Sequence, residues 1–132
     1  MAQLKSTGRS RGFTLIELIV VMAIVALLSA IVAPRYFNSL QKSRETALHT
    51  SLNVMRDAID HFMADKGRYP ESLQELVTAR YIREIPEDPI NGQRDSWVTI
   101  TPPSEAQARG EVYDVRSGAA GRASDGRLYA DW

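Results

Sequence analysis

Residues 13–33 read F-T-L-I-E-L-I-V-V-M-A-I-V-A-L-L-S-A-I-V-A, 21 positions that carry one charge, Glu17. At about 1.5 Å of rise per helical residue this stretch is about 30 Å long, the thickness of a bilayer's hydrocarbon core. Residues 18–33 are apolar on every face rather than along one stripe, which argues against a soluble coiled coil. A carboxylate at the middle of such a helix costs about 2.5–3.5 kcal/mol to insert, and less near an end, where Glu17 sits. Two readings stay open from this alone: Glu17 snorkels to the interface, or it meets a positive partner inside an assembly.

Upstream, residues 1–12 hold Lys5, Arg9 and Arg11 and no acid, so the positive-inside rule keeps them cytoplasmic. A secretory signal peptide has about 7–15 apolar residues with the small cleavage residue behind them. Here the apolar run is longer and the small residue, Gly12, stands in front of it. A cut at Gly12–Phe13 would discard the basic segment and leave the helix on the mature chain.

Downstream, Pro34 closes the apolar run and is the expected site of a helix kink. Leu48, Leu52, Met55, Ile59 and Phe62 then recur four, three, four and three residues apart, the stripe of an amphipathic helix. Lys42, Arg44, Glu45, Asn53, Arg56, Asp57 and Asp60 are expected on its other faces. The pattern predicts one helix from about Thr14 to Ala64, ended by Gly67 and Pro70. Ser72 and Glu75 read as a capping box for a short helix over about 73–80. Asn91-Gly92 marks the sharpest turn of the 85–93 stretch. Strands are expected at Trp97–Thr101 and Val112–Arg116, with a short third at Leu128–Ala130. The fold class is therefore α+β, a long helix on a small antiparallel sheet. Its organisation is a leader at 1–12, an apolar helix at 13–33, an amphipathic half at 34–64 and a small domain at 65–132.

The residues R-G-F-T-L-I-E-L at 11–18 resemble the N-terminal signature of type IV prepilins and type II secretion pseudopilins. The stretches G-R-Y-P-E-S-L-Q-E-L-V at 67–77, E-D-P-I-N-G at 87–92 and residues 113–132 resemble the major pseudopilins. The resemblance implies cleavage between Gly12 and Phe13 by a prepilin peptidase, which also methylates the new Phe13 amine. It implies that Glu17 pairs with the terminal amine of a neighbouring copy as a filament forms. A cation about 4 Å away in a low-dielectric bundle would offset much of the desolvation of that carboxylate. The implied partners are other copies, other pseudopilins, the peptidase, an inner-membrane assembly platform and membrane lipid. The implied location is the inner membrane, crossed once, with the C-terminal domain in the periplasm and joining a pseudopilus that drives protein export. A subunit of a true type IV pilus, serving adhesion, motility or DNA uptake, is the nearest rival. A membrane-tethered enzyme or binding protein is a rival of another class.

The resemblance also implies calcium in the C-terminal loop, with Asp114, Ser117, Asp125 and Asp131 as available side chains; Ser117, Asp125 and Asp131 are the ligand candidates. One departure stands out. Gly118-Ala119-Ala120-Gly121 replaces the family's glycine-x-aspartate-glycine, which removes an acid at Ala120. The bland alternative is that Asp125-Gly126 is only a turn and Asp131 a solvated end.

Composition narrows the remaining classes. The 132 residues contain 16 basic and 16 acidic side chains and no cysteine. Loss of the leader removes three basic residues and no acid, giving a formal charge of −3. There is no basic footprint for nucleic acid, and neither a disulfide framework nor a thiolate site. His49 and His61, twelve positions apart on one helix, point about 120° apart and cannot share a metal. No nucleophile cluster or phosphate loop has motif context, so no enzymatic activity is expected. Trp97, Trp132, Tyr81, Tyr113 and Tyr129 are expected in or beside the core, with the Trp132 end docked on the sheet.

Overall fold

The computed structural model describes residues 2, 3, 8 and 11–132. Of the expected leader, Lys5 and Arg9 lie outside the described residues. Helix α1 spans Leu15–Lys66, 52 residues with Pro34 inside it, within two residues of the expected limits. The chain forms two compact units, one ending at Asn38 and the other covering Ser39–Trp132.

In the first unit the apolar side chains of α1 are exposed. Leu15 is 76% and Leu27 68% exposed, and Val32 is 62% exposed. An 18-residue window of α1 reaches a mean hydropathy of 2.9 and none of it is buried. Such a surface is stable only against lipid or other helices.

The second unit has a core built on the expected stripe. Leu48, Leu52, Met55, Ile59 and Phe62 are all at most 1% exposed, and Leu76, Val112 and Val115 close over them. Gly67 takes φ +68° just past α1 and donates its N–H to Met63 O at 2.9 Å, a left-handed cap that a side chain would strain.

Helix α2 spans Leu73–Thr78, shorter than expected, because Arg80 adopts φ +63°. Arg80 N then reaches Val77 O and Tyr81 N reaches Leu76 O, the paired bonds of a Schellman end. Ser72 caps α2 by accepting from Glu75 N at 3.3 Å. The reciprocal arm of the expected box is absent. Glu75 instead accepts from Glu71 N at 2.7 Å and from Arg68.

Strands β1 (Val98–Ile100) and β2 (Asp114–Arg116) pair antiparallel with Val98 opposite Arg116 and Ile100 opposite Asp114. Both are shorter than expected. Trp97 leaves the ladder to donate its indole N–H to Pro86 O at 2.7 Å, and the prolines at 102 and 103 end β1. The expected third strand is not formed. Leu128 makes one isolated bridge to Arg122, and Tyr129–Asp131 coils into a 3-10 turn. That turn lets Tyr129 reach α1 and be buried, which an extended segment paired into the sheet would not supply.

Candidate functional site

The first region of interest is the start of α1. Gly12 and Phe13 lie outside regular structure just ahead of the helix; Phe13 is 87% exposed, and open space surrounds Gly12. The residues on both sides of the Gly12–Phe13 bond are thus exposed. Thr14 N–H donates to Glu17 Oε2 at 3.1 Å, and Glu17 N–H donates to Thr14 Oγ1 at 3.3 Å. This reciprocal pair is a capping box at the helix start, satisfying two donors that have no helical partner. The Thr-x-x-Glu spacing at 14–17 was present in the sequence as that signal. Within a single chain, then, Glu17 is engaged by its own backbone.

The second region is the segment 117–132. Ser117 is fully buried; its hydroxyl donates to Asp88 Oδ2 at 2.6 Å and accepts from Ala119 N at 3.1 Å. Asp125 accepts from Arg127 N at 3.0 Å and from Arg127 Nε at 2.9 Å. Those bonds, the backbone one first, hold the Asp125 carboxyl below the usual aspartate value. Asp131 is exposed within the 3-10 turn, and Asp114 is bound by Arg56 Nε at 2.9 Å. Among the described residues no three His, Cys, Asp or Glu side chains are grouped so as to hold a metal ion. Calcium requires six to eight converging oxygens. With Ser117 bound to Asp88, Asp125 paired to Arg127 and Asp131 turned to solvent, these residues do not fit that requirement.

What converges here instead is a set of donors on Glu45, which is 6% exposed rather than on an outer face of α1. Ser124 N–H lies 2.7 Å and the Ser124 hydroxyl 2.6 Å from its two oxygens. Tyr129 Oη adds a bond of 3.1 Å and the Gln41 amide one of 3.2 Å. Burial pushes the Glu45 carboxyl up, but the bonds from Ser124, Tyr129 and Gln41 outweigh it and leave it below the usual value. Glu45 falls three residues before Leu48, one step along the core stripe, which is the signal that places it inward.

Arg56 is the second polar residue of α1 that turns inward. Beyond Asp114, it donates through Nη2 to Val115 O at 3.0 Å and to Trp132 O at 2.9 Å. Trp132 is 7% exposed and its ring stacks on His49 with centroids 4.0 Å apart. The end segment therefore docks on α1 as well as beside the sheet. His61, by contrast, is exposed. Of the expected aromatics, Trp97 and Tyr129 are buried, while Tyr113 is 42% exposed and packs edge-on against Tyr69.

The family described as the prokaryotic N-terminal methylation motif matches residues 7–33. The type II secretion system core protein G of Klebsiella pneumoniae is 33% identical over 97 residues, 61% of this chain and 69% of that protein. Core protein G of Escherichia coli K12 is 28% identical over 115 residues, 75% of this chain and 77% of its own length. The type IV major pilin protein PilA of Myxococcus xanthus is 37% identical over 68 residues, 52% of this chain but 31% of that pilin. No solved structure is a significant match. An N-methylation motif, a bare apolar helix and 33% identity to a core protein G, 69% of whose length is covered, together show that the chain belongs to the type II secretion system core protein G family.

Proposed function

We propose that this chain is the structural subunit of a pseudopilus in a type II protein secretion system. The observation that carries this reading is the exposed apolar surface of residues 13–33, whose one charge is Glu17, four residues after Phe13. Prepilin peptidase cuts after Gly12 and methylates the Phe13 amine. Before assembly, residues 13–33 cross the inner membrane once, with the leader in the cytoplasm and residues 65–132 in the periplasm. On extraction through an assembly platform, the same apolar surface exchanges acyl chains for neighbouring helices, so the transfer is nearly balanced in burial. Glu17 leaves its contact with Thr14 and pairs with the methylated amine of an adjacent copy, so that a bond with one charged partner gives way to one in which both partners are charged. Pro34, lacking an N–H, gives α1 a point at which to bend as the copies pack. The role is structural, not catalytic.

Mass spectrometry of the chain recovered from cells tests the first step. The expected mature species begins at N-methylated Phe13; a chain still beginning at Met1 in cells with active peptidase overturns the reading. Filament assembly tests the second, since Glu17→Ala should leave processing intact and abolish sheared filaments. A type IV pilus subunit is the second reading, favoured by the 37% identity to the Myxococcus pilin. Deletion of the gene separates the two: loss of export with intact surface pili supports the pseudopilus, and the reverse supports the pilus.

A further inference from the structure

The donors around Glu45 have the opposite electrical sense from a cation site. A calcium loop turns its oxygens toward one point; here residues 124 and 129 turn two hydroxyls and a backbone N–H toward a carboxylate supplied by α1. The acids that a cation would require are bound elsewhere. Asp125 has both oxygens on Arg127, and the Ser117 hydroxyl donates to Asp88, which is itself fully buried and also accepts from Ile90 N at 2.9 Å. At residue 120, where the resemblance leads one to expect an aspartate, the side chain is an exposed alanine methyl. No side-chain ligand can stand at Gly118 either, because a Cβ there would lie 1.9 Å from Ser96 O.

We propose that Glu45 of α1 organises the 117–129 loop in this chain and that the loop closes without a bound calcium ion. The carboxylate is an anchor fixed in a helix, so the loop's order is set by the fold of α1 and not by the ion content of the surroundings. The loop stays ordered where free calcium is scarce, and its order is lost when the Glu45 carboxylate is lost.

Hydrogen exchange and thermal melts on the full chain in detergent micelles test this, with calcium chloride or EGTA as the added reagent. The wild-type melting curve should be the same in both, and the amides of Ser124 and Tyr129 should exchange at equal rates. Glu45→Gln should speed exchange at those two amides by about tenfold or more in either condition, since a charge-assisted bond set is replaced by weaker ones. Should Glu45→Gln not accumulate, Ser124→Ala and Tyr129→Phe each remove one donor and keep the carboxylate. Each should give a smaller acceleration, again indifferent to calcium. A melting temperature that rises with calcium in the wild type overturns the proposal. So does unchanged loop exchange in Glu45→Gln, or in both single-donor variants.

Discussion

The two halves of α1 use one secondary structure for opposite purposes. From Leu15 to Asn38 the helix displays its apolar residues to whatever surrounds it, with Leu28 and Ile31 each 57% exposed. From Ser39 onward it concentrates them on one stripe and covers that stripe with α2, the hairpin and the end segment. The difference lies in polar placement. The first half admits two charges, Glu17, which gets a local cap, and Arg35, which follows Pro34 beyond the apolar run. The second half turns Glu45 and Arg56 inward and uses them to bind segments distant in sequence. A membrane or filament can supply what the first half lacks, whereas the second half supplies its own partners.

The sharpest way to break this comparison is to remove the same kind of side chain from each half. Phe62→Ala opens the core and should destabilise the domain by about 3–5 kcal/mol. Leu28→Ala should change it by less than about 0.5 kcal/mol, since its side chain is already 57% exposed. Urea melts of the two variants in one detergent measure both, and equal losses would refute the division. Gly118→Ala comes next. Its new methyl meets the Ser96 carbonyl at 1.9 Å, so the loop or β1 must shift, at about 2–3 kcal/mol, seen as a fall in melting temperature.

A smaller effect follows from pH. The folded-state values of Glu45 and Glu75 are lowered, so both favour the ionised form in the native state. Their contribution is complete above the ordinary glutamate value of 4.5 and is lost as pH falls from there through the lower folded values. Glu45→Gln should therefore flatten the acid limb of a stability–pH curve, and an identical limb would remove Glu45 from the account. Tyr129 works in the other direction. Burial raises its hydroxyl, so the stability it lends is complete below about pH 10 and fades in stronger alkali. Smallest of all, Asp125→Asn breaks only an exposed pair with Arg127 and should leave the melting temperature unchanged.

The sequence discloses what periodicity can carry. The stripe from Leu48 to Phe62, the apolar run before Pro34 and the Gly67 stop are all local patterns, and each has the expected place in the fold. Glu45 and Arg56 were hidden because a charge on a helix reads as solvated until its partners are known. Those partners, Ser124, Tyr129, Asp114 and Trp132, lie 58 to 84 residues away. Leu128–Ala130 reads as strand because its residues favour extension; tertiary contacts to α1 draw Tyr129 and Trp132 into a turn instead. Thr14-x-x-Glu17 carries the spacing of a capping box, and the same carboxylate is the one charge of the apolar run, so one residue bears two signals. The calcium candidates rested on the identity of side chains, which says nothing of whether their oxygens are already committed.

The stacking of Trp132 on His49, with the Arg127 guanidinium 5.5 Å from the indole ring, has an optical consequence. The chain holds two tryptophans, and Trp97 sits apart on the Pro86 carbonyl. Replacing Trp97 with phenylalanine leaves a single tryptophan, whose emission should change when the imidazole stacked on it moves away. Undocking of the last residues can then be timed in the assembled fibre, with no dye attached.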